Sequence, residues 1–181
     1  MKKICCWILL ILFLSINGQA QELNAEELAL YELIMTYREA QGLPPIPLSL
    51  SLNTVARTHT RDLMNHRPNH GGCNTHSWSQ YGKWSSCCYT PDHKQAKCMW
   101  DKPRELTSYT GNGYEIAFRA QLQSINDKIS AKRALRSWQK SLHHNAVIIN
   151  QGPWKKHEWK AIGISIFGSF AAVWFGDVPD R

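Results

Sequence analysis

The first apolar repeat with helical spacing begins just after Asn24. Asn24 and Glu27 have the spacing of a capping box, in which each side chain accepts a hydrogen bond from the backbone N–H of the other residue. Gly42 and the pair Pro44-Pro45 prevent the helix from continuing. The pattern therefore predicts a first helix, whose apolar face is formed by Leu28, Tyr31, Ile34, Met35 and Arg38.

Two further stretches have the same spacing. One begins near Ser49, ends before Pro68, and has an apolar face formed by Leu52, Val55, Ala56, His59 and Leu63. We assign His59 to packing within this face. The other is capped by Ser130 and places apolar side chains at Ala131, Ala134, Leu135, Trp138 and Leu142. Residues 113–123 are interpreted as a helix between these two.

Strand patterning appears at the end of the chain. Apolar runs over 161–167 and 170–175 flank Gly168-Ser169, which is typical of a hairpin of two buried strands. Helices first and strands last predict an α+β fold. The segment 66–112 shows no sustained period, and a loop of this length is usually functional or cross-linked. Its aromatic residues suit either a sugar- or peptide-stacking surface or a small core, and are Trp78, Tyr81, Trp84, Tyr89 and Trp100.

The first twenty residues have the features of an export signal. Lys2 and Lys3 precede an apolar stretch over residues 4–16, and Gly18 and Ala20 give the small-x-small pattern cut by signal peptidase. We expect cleavage near Ala20 and a mature protein that is secreted or periplasmic. A membrane span needs about 20 apolar residues, so this stretch is too short, and no span is expected in the mature form.

Composition and net charge indicate the kind of domain and the kind of binding partner. A chain of 181 residues with 43% hydrophobic side chains suits one globular domain and excludes disorder. The formal net charge of +7 becomes +5 when Lys2 and Lys3 leave with the signal. On an exported protein this charge favours anionic envelope or cell-wall polymers as partners. The basic and aromatic residues over 154–160 are interpreted as a bent entry into a strand, and no nucleic-acid partner is expected.

Four cysteines remain after cleavage, and all lie within residues 66–112. An even number in an exported chain predicts disulfide bonds. A bond between the adjacent Cys87 and Cys88 would be strained, so Cys73 is expected to pair with one of them and Cys98 with the other. The alternative is a zinc site that uses the Cys73-x-x-His76 spacing, which an oxidising compartment disfavours.

Several local patterns occur together in one order along the chain. They are Gly42–Ile46, Ala56–Leu63, His76–Trp78, Gly113–Ala117, His144–Asn150, Trp159–Ile164 and Val173–Gly176. In this order they resemble the motifs of the CAP superfamily of cysteine-rich secretory, antigen 5 and pathogenesis-related proteins, with a bacterial SCP-like secreted member as the best match. The resemblance implies an α-β-α sandwich with a central antiparallel sheet. It also implies a single domain over 21–181, with a cysteine-rich insertion at about 66–112.

The resemblance further implies a cleft centred on two histidines and two glutamates. His76 and His144 match the histidines. Glu115 is taken as the match to the first glutamate, although an ungapped overlay places Tyr114 at that position. The position of the second glutamate is occupied by Ser141.

Two imidazoles and a carboxylate facing one cleft suit zinc or another divalent cation, with His76 and His144 as the metal ligands. The resemblance implies the same kind of site. Glu105 or Asp101, from the cysteine-rich segment, are candidates for the missing acidic residue. We therefore interpret the protein as an extracellular binding or interaction module for a divalent cation or a small ligand.

Two other interpretations use the same residues. A metal-bound water near Glu115 would allow hydrolysis of peptide, ester or cell-wall bonds, with His76, Glu115 and His144 as catalytic residues. The chain has neither a His-Glu-x-x-His helix nor a Gly-x-Ser-x-Gly turn, so no specific enzyme class is indicated. Alternatively, the three side chains form a buried hydrogen-bond network that ties loops to helices.

Overall fold

A computed structural model describes residues 23–121 and 128–181. The predicted export signal, residues 1–20, lies outside the described residues. In chain order the elements are α1 (Ala25–Glu39), α2 (Leu50–His66), α3 (Ala96–Leu106), β1 (Tyr114–Arg119), α4 (Ala131–Lys140), α5 (Leu142–Ile148), a 3₁₀ helix (Gly152–Lys156), β2 (Ala161–Phe167) and β3 (Phe170–Gly176). None of the helices in these two ranges combines the length and apolarity needed to cross a membrane.

The sheet is antiparallel, and its strand order is β1-β3-β2. β2 and β3 form the predicted hairpin, with Gly168 in the left-handed conformation (φ +57°) that its turn requires. β1 pairs with the other edge of β3, which places Glu115 opposite Trp174. β3 is therefore the central strand, and it is buried along its whole length.

Helices cover both faces of this sheet. α2 packs on one face, over a core that includes Leu52, Val55, Ala56, Trp78, Ala172 and Trp174. α1, α4 and α5 cover the other face, over a core that includes Leu30, Ile34, Ile116, Leu135, Trp138, Ile148, Ile164 and Val173. The predicted α+β class and the α-β-α arrangement are both confirmed.

The start of α1 follows the predicted capping box, but its buried face is rotated from the predicted one. Asn24 Oδ1 accepts from the Glu27 N–H at 3.0 Å, and Glu27 Oε2 accepts from the Asn24 N–H at 3.0 Å. Leu30 and Ile34 are fully buried, whereas Leu28 is 45% exposed. Arg38 is buried as predicted, because its guanidinium donates to backbone carbonyls that include Pro44. The placement of Leu28 in the core is wrong.

The interpretation of residues 113–123 as a helix is also wrong, since Tyr114–Arg119 form β1. Apolar residues do alternate along this strand, at Tyr114, Ile116 and Phe118, but the pattern covers only six residues, and both faces of the first four are buried, so no exposed polar face marks it as a strand. The segment 66–112 likewise contains an element that its sequence did not reveal, the helix α3. Its aromatic residues Trp78, Trp84 and Tyr89 pack in the core beneath α2.

Two disulfide bonds cross-link the cysteine-rich segment. They join Cys73 to Cys88 and Cys87 to Cys98, which confirms that Cys87 and Cys88 bond to different partners and settles the pairing. Each bridge is expected to contribute about 2–4 kcal/mol by restricting the unfolded chain. Because Cys98 lies in α3, the second bridge ties the irregular part of the segment to a helix.

Candidate functional site

A cleft of about 330 Å³ lies between the cysteine-rich segment, β1 and α5. His76, Glu115 and His144 all line it, so the structure brings the three predicted site residues together. The rest of the lining is mostly aromatic or apolar and includes Tyr89, His93, Met99, Trp100, Tyr114, His143, Val147 and Trp154.

The three residues are supplied by different local structures. The backbone N–H of His76 donates to Asn74 Oδ1 at 2.9 Å, and the chain just beyond it pairs with Cys87 through Trp78. Glu115 is the second residue of β1, and His144 lies in α5. The cleft is thus built from three separate parts of the fold.

The strand also resolves which residue of the pair at 114 and 115 meets the histidines. Side chains alternate between the two faces of a strand, so Tyr114 and Glu115 leave β1 in opposite directions. Glu115 Oε2 lies 2.8 Å from His76 Nδ1, on the face covered by α2. Tyr114 joins the core on the face covered by α1 and α4, and it reaches the cleft from that side.

Glu115 is held by a second histidine, His59 of α2. Its Oε1 atom lies 2.5 Å from His59 Nδ1, and the other ring nitrogen of His59 lies 3.0 Å from the carbonyl oxygen of Ser77. A carboxylate and a carbonyl only accept hydrogen bonds, so both nitrogens of His59 donate and the ring is an imidazolium. His59 is fully buried and Glu115 is 6% exposed, which makes this a buried ion pair.

His59 was expected only to pack, and its contact with Glu115 was not predicted. His59 does pack, because its ring stacks on Trp78 at a centroid distance of 4.2 Å. It also supplies the charge that balances Glu115. A histidine on the buried face of a helix needs polar partners, and that requirement was the available signal.

Charges around the cleft set the protonation of Glu115 and His144. Burial acts to raise the pKa of Glu115, but the nearby His59 and His76 outweigh it and hold the pKa at about 2. Burial, together with the neighbouring His76 and His143, lowers the pKa of His144 to about 4. At neutral pH the cleft therefore contains an ionised Glu115 and a neutral His144.

We expect the stabilising effect of Glu115 to disappear in acid. Its folded-state pKa of about 2 lies below its usual 4.5, so the unfolded chain binds this proton first as the pH falls. The contribution is complete above about pH 4.5 and is lost toward pH 2, at a cost on the order of 3 kcal/mol. Urea unfolding from pH 7 to pH 2.5 measures it, as the difference between wild type and Glu115→Gln. A difference that stays constant over this range would contradict the prediction.

The candidates for the second acidic residue lie elsewhere. Glu105 Oε2 accepts from Lys102 Nζ at 2.8 Å and from the Ser85 N–H at 2.8 Å, and Asp101 forms ion pairs with Lys97 and Arg104. Neither carboxylate lines the cleft.

Ser141, at the position of the missing glutamate, places its Oγ atom 2.9 Å from His144 Nδ1. A hydroxyl group therefore contacts His144 where the family pattern has a carboxylate.

The site has the donors for a metal ion but not a complete set of ligands. Within residues 23–121 and 128–181, no group of three or more His, Cys, Asp or Glu side chains is arranged to hold a metal. The Nδ1 atoms of His76 and His144 contact Glu115 and Ser141, which leaves each Nε2 atom as the nitrogen available to a ligand. Two imidazoles completed by waters would form an open site.

Comparison of the sequence with models of known families identifies a match. A family model described as "CAP: Cysteine-rich secretory protein family" matches residues 31–152. No curated protein matches the sequence.

Solved structures provide a second comparison. An outer surface protein from Borrelia burgdorferi is 16% identical, with a TM-score of 0.55 and coverage of 86% of this chain and 93% of that one. An extracellular protein containing a SCP domain from Bacillus anthracis is 14% identical, with a TM-score of 0.56 and coverage of 84% of this chain and 40% of that one. At these identities the likeness shows the fold alone.

Proposed function

The chain belongs to the CAP family of cysteine-rich secretory proteins, and from this premise we propose that it is an extracellular binding module whose cleft holds a divalent cation such as zinc. Two disulfide bonds support an oxidising location, since such bonds persist outside the reducing cytosol. The neighbours described as outer surface and extracellular proteins support the same location.

The arrangement around His76 carries the proposal. A histidine that binds a metal usually donates its other ring N–H to a carboxylate, which fixes the ring and raises its basicity. His76 has this partner in Glu115, at 2.8 Å from Nδ1. His144 Nδ1 lies 2.9 Å from Ser141 Oγ, and in the tautomer that donates from Nδ1 each of the two histidines presents an unprotonated Nε2 atom. In this arrangement Glu115 orients His76, which binds the metal, and Glu115 does not itself bind the metal.

The geometry favours binding over hydrolysis. Both oxygens of Glu115 already accept hydrogen bonds from imidazoles, so its carboxylate is not free to take a proton from a metal-bound water. Zinc-dependent turnover of an ester or peptide that is lost in Glu115→Gln would instead support the hydrolase alternative.

Zinc titration by calorimetry tests the proposed site. With disulfides intact and at pH 7.5, we expect His76→Ala and His144→Ala each to weaken zinc binding at least tenfold, because each removes one of the two nitrogen ligands. The matched control is His70→Ala, since His70 is exposed and does not line the cleft. Equal zinc affinity in all four proteins would show that the site is wrong.

A further inference from the structure

Aromatic rings form a corner beside the histidines of the cleft. Tyr114 lies between Trp100 and Trp154, with ring centroids 6.3 Å and 5.2 Å away. The ring planes meet at 59° and 75°, so the three rings stand as adjoining walls rather than as a stack. All three line the cleft. We call these three residues the aromatic corner.

Tyr114 of the aromatic corner is also packed against two rings outside the corner. Tyr114 contacts the rings of His157 and Trp159 at 5.1 Å and 5.4 Å, and it is only 8% exposed. Trp100, in contrast, is 38% exposed, whereas the core tryptophans Trp78, Trp138 and Trp174 are at most 2% exposed. Core packing therefore explains the position of Tyr114 but leaves open why a large indole lines an open cleft.

Charge around the corner favours a cation as the occupant. The faces of aromatic rings carry negative potential, and tryptophan provides the strongest attraction for a cation. No lysine or arginine among the described residues lines the cleft, although the chain contains 21 of them. Among the described residues, the only carboxylate in the lining is Glu115, and it is paired with His59. The ring faces of the corner therefore supply the attraction for a cation.

We propose that the aromatic corner binds an organic cation whose charge is spread over methyl groups, of the quaternary or methylated ammonium class. Such cations shed water readily and contact several rings at once, which is how aromatic cages recognise them. The cleft volume of about 330 Å³ is near the lower end for small-molecule sites and suits a compact head group. This proposal rests on the proposed function only in that the cleft is a site for a ligand, and it does not require a bound metal.

A pair of isosteric ligands tests the role of charge. Choline and 3,3-dimethyl-1-butanol have the same shape, but the second replaces the charged nitrogen by carbon. Titrated into the protein at pH 8 and followed by tryptophan fluorescence and calorimetry, choline is expected to bind at least tenfold more tightly. Equal affinity would overturn the proposal, because it would mean that the cleft selects apolar shape alone.

Variants locate the site. Trp154→Leu and Trp100→Leu are each expected to weaken choline binding about 5- to 30-fold through the loss of one cation–π contact. Tyr81→Leu is the matched control, since Tyr81 is 66% exposed and lies outside this cleft. Trp100→Leu removes a partly exposed side chain, so it keeps the test valid if Trp154→Leu fails to fold. Unchanged affinity in Trp100→Leu would overturn the proposal.

The same proteins separate this proposal from the zinc site. The tryptophan variants are expected to bind choline more weakly with unchanged zinc affinity, whereas His76→Ala and His144→Ala are expected to bind zinc more weakly with unchanged choline affinity. Loss of choline binding in the histidine variants alone would overturn the aromatic corner. Vesicles of phosphatidylcholine distinguish the source of the head group: binding to them assigns a lipid, and binding of free choline alone assigns a small solute.

Discussion

On replacing Glu115 with glutamine, we expect the free energy of unfolding to fall by about 3–5 kcal/mol, because removing one member of a buried ion pair leaves the other uncompensated. Glutamine has nearly the same shape as glutamate, so the change removes charge without opening a cavity. It leaves the fully buried imidazolium of His59 without its counter-charge. His76 also loses a carboxylate acceptor at 2.8 Å. Urea unfolding at pH 7 measures the effect.

Glu158→Gln is the control for this loss. The Glu158 side chain is 83% exposed, and Lys160 Nζ lies 3.7 Å from its Oε2 atom. Exposed pairs of this kind contribute little, so we expect a change within about 0.5 kcal/mol. If Glu115→Gln lowered the free energy of unfolding no more than Glu158→Gln does, the assignment of a buried ion pair would be wrong.

The second large effect is expected at Gly163, where β2 crosses α2. A Cβ atom at this position would overlap the backbone of Leu52 and Asn53, and a helix backbone cannot rotate away as a side chain can. The hydrogen bond from the Ile164 N–H to Asn53 Oδ1, at 2.8 Å, depends on the same close approach. We therefore expect Gly163→Ala to lower the free energy of unfolding by about 3 kcal/mol, the upper end for overpacking.

Gly72→Ala is the matched control, since a Cβ atom there would meet nothing within 4 Å. We expect its unfolding free energy to stay within about 0.5 kcal/mol of wild type, as for other surface substitutions. Thermal and urea unfolding of both variants provide the comparison. A Gly163→Ala protein as stable as Gly72→Ala would mean that β2 and α2 are further apart than described.

Structural features that depend on residues close together in sequence were predictable. The capping box of Asn24 and Glu27, the cap at Ser130 and the hairpin turn at Gly168 each depend on residues that are close in sequence, and each is present in the structure. The strand β1 was not predictable in the same way. It is only six residues long, and the burial of the charged Glu115 within it depends on pairing with a strand about fifty residues later.

The same distinction, between local motifs and contacts far apart in sequence, applies to the residues of the site. Resemblance to the family motifs pointed to His76, Glu115 and His144, and the structure places all three on one cleft. It did not indicate His59, whose role depends on a contact with Glu115, a residue far along the chain. The contact between His144 and Ser141 was also not predicted, because the family pattern has a glutamate at position 141.

The strand order β1-β3-β2 has a consequence for how the protein folds. β2 and β3 are joined by a two-residue turn and can pair on the microsecond scale of isolated hairpins, whereas Arg119 of β1 must find Phe170 across a long intervening chain. We therefore expect β1 to dock late and its amides to be the first of the sheet to exchange with deuterium. Since Glu115 arrives with β1, the cleft is completed only at the end of folding, and partly folded chains lack it.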